Sequence, residues 1–217
     1  RPKRTFAESR GYSMKKSTLP ARPIPYPDES PASILIRAAE RNGYETVHNM
    51  IHFTGLNGNS AALPRLLNNL KNFLQLLGIL GLSIVKPEEV LERGGPARKN
   101  LRRIMRHFYP VDLFRQSGAA YCPGCLHDKP YLGKIWMFRP YSTCHIHDTA
   151  ILTACNTCGR ELSIARGVLC ECSHCKSDIR QALPKQPNQQ ASWIYDFVHQ
   201  EGSAVEEFIT IYTCATG

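Results

Sequence analysis

The chain has 217 residues, with 27 Lys and Arg against 18 Asp and Glu, a formal charge of +9, and nine cysteines. A balance this basic suits a phosphate-rich partner, because cationic side chains that neutralise phosphates release condensed counterions. No apolar run approaches the roughly 20 residues that span a bilayer, and no signal-peptide core opens the chain, so the expectation is a cytoplasmic protein with no membrane partner.

Residues 1–118 carry 19 Lys/Arg and 9 Asp/Glu, and the remainder 8 and 9, so the positive field belongs to the first half. This asymmetry and the clustering of cysteines divide the sequence. Residues 1–20 read as a tail or an added remnant, with Met14 as a natural start. Residues 21–117 read as a helical, helix-turn-helix-like domain, 118–181 as a tandem zinc-finger or ribbon region, and 182–217 as a linker and the start of a further helical region. The fold class expected is mainly α with small zinc-ribbon β elements. The last residues show no helix cap, so the sequence is expected to continue beyond Gly217.

In chain order, Ser30 caps a helix with Pro31 at its first position and Asp28 and Glu29 beside its positive end. Ile34, Leu35, Ala38 and Ala39 form one apolar face, and Gly43 is the stop. A second helix fits residues 46–52, with Val47, Met50 and Ile51 inward. A third, longer one starts near Pro64, its Leu63, Leu66, Leu67, Leu70, Leu74 and Leu77 at helical spacing, and breaks at Gly78 to Gly81. Pro87 starts another. From Ala97 to Phe108, Leu101, Ile104, Met105 and Phe108 repeat at i, i+3, i+4, i+7. Arg98, Lys99, Arg102, Arg103 and Arg106 then cover the rest of an expected basic amphipathic helix, the candidate surface for nucleic acid or an acidic partner. Beyond the cysteine region, Trp193, Ile194, Phe197 and Val198 mark one more helix.

Eight of the nine cysteines lie between residues 122 and 175, mostly in pairs two residues apart. The candidate ligands are Cys122, Cys125, Cys144, His147, Cys155, Cys158, Cys172 and Cys175. A two-residue gap lets both side chains of a knuckle reach one tetrahedral ion, and two knuckles complete a structural shell, so four knuckles imply two Zn2+. Sequential pairing assigns the first four residues to one ion and the last four to the other. Interleaved pairing, as in a RING-type ubiquitin ligase, is disfavoured by the seven residues between His147 and Cys155. Cys170 remains a substitute for Cys172 and His145 for His147. Closed shells leave no position for a catalytic water, and zinc-protease, base-deaminase and P-loop signatures are absent, so no enzyme is expected.

The segment Pro23-Ile24-Pro25-Tyr26-Pro27-Asp28-Glu29-Ser30 runs into Ser33-Ile34-Leu35-Ile36-Arg37-Ala38-Ala39-Glu40-Arg41-Asn42-Gly43-Tyr44. Later come Tyr121-Cys122-Pro123-Gly124-Cys125-Leu126, Trp136, Cys144-His145-Ile146-His147-Asp148, Leu152, Cys155-Asn156-Thr157-Cys158-Gly159 and Cys175-Lys176-Ser177-Asp178-Ile179. Together these resemble the TniQ/TnsD family of transposon target-selection proteins over about residues 20–182. Asn156 and Lys176 depart from it, since the family often has Pro and Gly there. The resemblance implies a non-enzymatic, homodimeric adaptor. In the branch it most resembles, a CRISPR effector ribonucleoprotein (Cascade-like), with its guide RNA and target DNA, is linked to the AAA+ ATPase TnsC and the transposase. The alternative within the family is a TnsD-like, sequence-specific DNA-binding selector.

Overall fold

The computed structural model describes residues 18–53, 63–67, 69–82, 101–104, 107–115, 118–187 and 194–199. Helix α1 (Pro31–Arg41) begins where the sequence places it, with the Ser33 amide donating to Ser30 Oγ at 3.3 Å. Its surroundings differ from the expected single apolar face. Every residue from Ala32 to Ala39 is buried, so neighbours enclose the helix on all sides. Gly43, at φ +71°, takes the left-handed conformation that lets the chain turn out of it.

Helix α2 (Val47–Phe53) buries Val47, Met50 and Ile51, as its spacing predicts, and Thr46 Oγ1 accepts from the Asn49 amide at 3.0 Å. The expected single long helix is instead two, α3 (Leu63–Leu67) and α4 (Leu70–Leu80). Asn69 interrupts them, its Oδ1 accepting from the Asn72 amide at 3.1 Å to cap α4 anew. Gly78 does not break α4, which runs to Leu80 and ends at left-handed Gly81. The Pro87 helix start lies outside the described residues.

The basic amphipathic helix is not formed. Strands β1 (Leu101–Ile104) and β2 (His107–Pro110) make an antiparallel hairpin in which Arg102 faces Tyr109 and Arg103 faces Phe108. Burial decides this outcome. Ile104 and Tyr109 are withdrawn from water, and the Tyr109 ring meets Phe138 at 4.9 Å, contacts that an exposed helix could not offer.

After the hairpin come short pieces joined by single bridges: α5 (Pro123–Asp128), the two-residue strands β3 (Thr143–Cys144) and β4 (Thr149–Ala150), and α6 (Ile194–His199). Trp193 lies outside the described residues. One hydrophobic cluster extends from Leu19 through α1, α4 and the hairpin to Cys172 and Val198, so the boundary expected at 117/118 does not separate two cores. Two seams join the parts. At one, the Ser30 amide donates to Leu132 O (2.8 Å) and the Lys134 amide to Asp28 O (2.8 Å). At the other, the Val47 amide donates to Ala165 O (2.9 Å), and Gly167 lies so close that a Cβ there would stand 2.3 Å from Tyr44 O.

Candidate metal centres

Two groups of four ligand atoms gather in the structure, each with its members within 4.8 Å of one another: Cys122, Cys125, Cys144 and His147, then Cys155, Cys158, Cys172 and Cys175. These are the sequential sets, so the interleaved arrangement of a RING is excluded. Cys172, not Cys170, completes the second set, and His147, not His145, the first.

In the first centre, Cys125 Sγ lies 3.5 Å from Cys144 Sγ, and His147 Nδ1 lies 3.3 to 3.7 Å from the three sulfurs. In the second, Cys155 and Cys175 are 3.6 Å apart and Cys158 and Cys172 3.7 Å. A tetrahedral zinc with bonds of about 2.3 Å to sulfur and 2.0 Å to nitrogen requires edges of about 3.8 Å and 3.5 Å. The donor types and spacings fit such an ion in both places.

Local backbone explains how the ligands converge. Cys122 caps α5 and Cys125 sits in its first turn, which brings both thiols to one end of the helix. The other three knuckles share a different device. The residue after the second ligand, Asp148 (φ 46°), Gly159 (φ 71°) or Lys176 (φ 61°), is left-handed. Its amide donates to the carbonyl of the first ligand, Cys144, Cys155 or Cys172, at 2.9 to 3.1 Å. Lys176 therefore performs the turn for which glycine is the easier residue.

Crowding sets the electrostatics of the first centre. Contacts with Cys125 and Cys144 hold the Cys122 thiol well below its ordinary range, and contacts with Cys122 and Cys144 push Cys125 up. In the second centre burial raises Cys155, but hydrogen bonds from Ser177 and the Cys158 and Thr157 amides outweigh it and leave the thiol at about 6. Beside this centre Arg166, 3% exposed, bonds only to carbonyls, donating to Leu169 O from Nε (3.1 Å) and Nη2 (2.9 Å) and to Ser163 O from Nη1 (2.7 Å). Burial lowers its pKa to about 10, and the sulfurs of Cys170 and Cys172 are the foremost opposing charges. A tetrathiolate metal centre would supply the negative charge that a buried guanidinium needs.

The remaining candidates are placed elsewhere. Cys170 is half-buried and lines a cleft of about 500 Å3 with Arg37, Glu40, Arg41 and Arg180. His174 lies 2.7 Å from Arg160 at the surface. His145 stacks on Tyr195 of α6, centroids 3.3 Å apart, and its amide donates to the Tyr141 hydroxyl at 3.1 Å, so it fastens α6 to the first centre. Arg102 and Arg103 occupy alternate faces of β1 rather than one basic surface, and the Arg102 guanidinium lies 5.5 Å from the centre of the Phe114 ring. Arg98, Lys99 and Arg106 lie outside the described residues. Spacing alone did not reveal Asp128, Gly124, Arg166 or Ser177. Only Gly124, inside a Cys-Pro-Gly-Cys knuckle, carried a local signal.

Two groups of four Cys/His ligand atoms, each able to hold a metal ion, are built into one hydrophobic cluster. The TniQ family model matches residues 20–151, more than half of the chain, from the Pro-rich leading segment through the first centre, and the chain belongs to the TniQ family. That family is associated with selecting targets for transposition and is a family of non-catalytic adaptors. No curated protein matches the chain. Among the described residues no helix is long and apolar enough to cross a membrane.

Proposed function

We propose that both centres hold zinc and that the chain is a homodimeric adaptor for RNA-guided transposition, joining a Cascade-like CRISPR effector on its target DNA to the AAA+ ATPase TnsC and the transposase. The observation that carries this reading is the completeness of the two ligand sets. Three sulfurs and a nitrogen in one, and four sulfurs in the other, fill a tetrahedral shell with side chains. Zinc held in this way stabilises a surface and activates no water, which suits a protein that works by contact. Family membership supplies the setting, and the leading segment Pro23–Ser30, the part that most resembles the RNA-guided branch, is held against the first module through Ser30 and Leu132.

The test is co-purification of the zinc-loaded protein with a guide-loaded Cascade-type effector and with TnsC. A complex containing all three is expected. Failure to associate with either partner would overturn the reading. Tight binding to one duplex sequence by the chain alone would instead establish the TnsD-like alternative, which the excess of 19 Lys/Arg over 9 Asp/Glu in residues 1–118 favours.

A further inference from the structure

We propose that Asp128 is a positioning residue for the first metal centre, its carboxylate holding His147 in the orientation and tautomer that turn Nδ1 toward the three thiols. The inference rests on the zinc reading above. Asp128 Oδ2 lies 3.2 Å from His147 Nε2, while Nδ1 lies 3.3 Å from Cys125 Sγ and 3.7 Å from both Cys122 Sγ and Cys144 Sγ. The two nitrogens of an imidazole serve different partners. A carboxylate that accepts from Nε2–H leaves a lone pair on Nδ1 for a metal and makes that nitrogen more basic.

Helix α5 provides both groups. Cys125 and Asp128 are three residues apart, hence on one face, so a ligand and the carboxylate that aligns its neighbour move together. Gly124 completes the arrangement. A Cβ at that position would come within 2.5 Å of His147 Cδ2 and 2.7 Å of Nε2, so the ring lies against the bare backbone of the same helix.

Asp128 is the last residue of α5, where the helix dipole does not favour an acid, and its carboxylate, 64% exposed, reaches His147 from the solvent side. The second centre has no histidine and relies on the Ser177 hydroxyl, 3.3 Å from Cys155 Sγ and 3.0 Å from Cys175 Sγ. The two centres are therefore aligned by different chemistry, and a change at Asp128 acts on one of them.

The experiment compares the wild-type protein with Asp128→Asn and Asp128→Ala. Metal affinity is read by Co2+ titration, in which absorption separates a three-sulfur, one-nitrogen site from a four-sulfur site, and by zinc competition with a chelator. Asp128→Ala is expected to weaken the first centre by roughly 10- to 100-fold and leave the second unchanged, and Asp128→Asn to have a smaller effect in the same direction. The His147 Nε2–H resonance, protected in the wild type, should exchange rapidly in the Ala variant. Loss of affinity at both centres together would mark a general folding defect and overturn the assignment. So would unchanged affinity with the Nε2–H signal intact. A wild-type chain that takes up fewer than two ions would overturn the zinc reading itself, and this inference with it.

Discussion

Glu29 Oε2 sits 2.6 Å from Arg37 Nη1, and neither side chain reaches far into solvent, with 0% and 9% exposure respectively. The pair is tightly provisioned. Ser33 Oγ donates to Glu29 Oε1 at 2.6 Å, the Tyr26 amide donates to Oε2 at 3.0 Å, and Arg37 also reaches Ile24 O at 3.2 Å. Glu29 is thus more than a helix-start acid. It anchors the leading segment to α1.

Removing one member of this pair should cost about 3–5 kcal/mol, with a pH dependence that identifies which charge is left alone. Burial raises the Glu29 carboxyl pKa above 4.5, against the hydrogen bonds and the Arg37 charge that lower it. In Arg37→Met the opposing charge is gone and the carboxyl rises further. A raised folded pKa gives stability that is present below the unfolded value and is lost as pH climbs through the folded one. The Arg37→Met deficit relative to wild type should therefore grow from pH 5 to pH 8, while that of Glu29→Gln, which removes the raised carboxyl and strands a permanent cation, should shrink as pH rises until wild-type Glu29 is fully ionised. Chemical denaturation of each variant against wild type at matched pH checks this.

Three glycine-related substitutions should separate by sign and size. Gly167→Ala pushes a methyl into Tyr44 O (2.3 Å) and Glu45 O (2.4 Å) and should destabilise by about 1–3 kcal/mol or more. Gly78→Ala, in the last turn of α4 with nothing within 4 Å, should stabilise by about 0.5–1 kcal/mol. Lys176→Gly relieves a left-handed lysine at φ 61° and should gain about 1 kcal/mol. Thermal melts of the metal-loaded proteins give the comparison.

Cys172→Ser is expected to halve the zinc content, whereas Cys170→Ser should leave two ions per chain, because only Cys172 stands among the second set of sulfurs. His145→Ala should likewise keep both ions, yet loosen α6 by losing the stack on Tyr195. Elemental analysis gives the first result, and hydrogen exchange over residues 194–199 the second.

Chelation should reach further than the cysteine region. Structural zinc supplies on the order of 10 kcal/mol of apparent folding free energy in small zinc peptides. Here Cys122, Cys144, Cys155 and Cys172 belong to the same buried cluster as α1 and α4. Metal removal is expected to lower amide protection in α1 along with that of residues 118–187. Full protection of α1 in the metal-free protein would contradict a shared core.

What the sequence disclosed was what is local. The Ser30-Pro31 start of α1 and the four knuckles are written within three or four residues each, and each appears where its spacing placed it. Between Ala97 and Phe108 four apolar and five basic residues satisfy a helical repeat, yet Leu101–Ile104 and His107–Pro110 pair as strands. The choice was made by Phe114 and Phe138, which lie outside that window. In the sequence Glu29 reads only as a helix-start acid, and Arg166 and Gly167 carry no local mark. Only the folded chain shows that a carboxylate is buried, a guanidinium enclosed, or a backbone too close for a side chain.

Ser33 Oγ accepts from the Leu132 amide across 99 residues, and Glu40 Oε2 accepts from the Leu169 amide across 129. On a ribosome, α1 is made early, yet its Glu40 contact cannot close until residue 169 has emerged. Until then its buried face has no complete cover, so the nascent chain exposes apolar surface for most of its synthesis and is open to chaperones and self-association. Order arrives late: the gathering of the second set of cysteines, closure of the seam at Ala165 and the last cover on α1 all wait on residues 165–175.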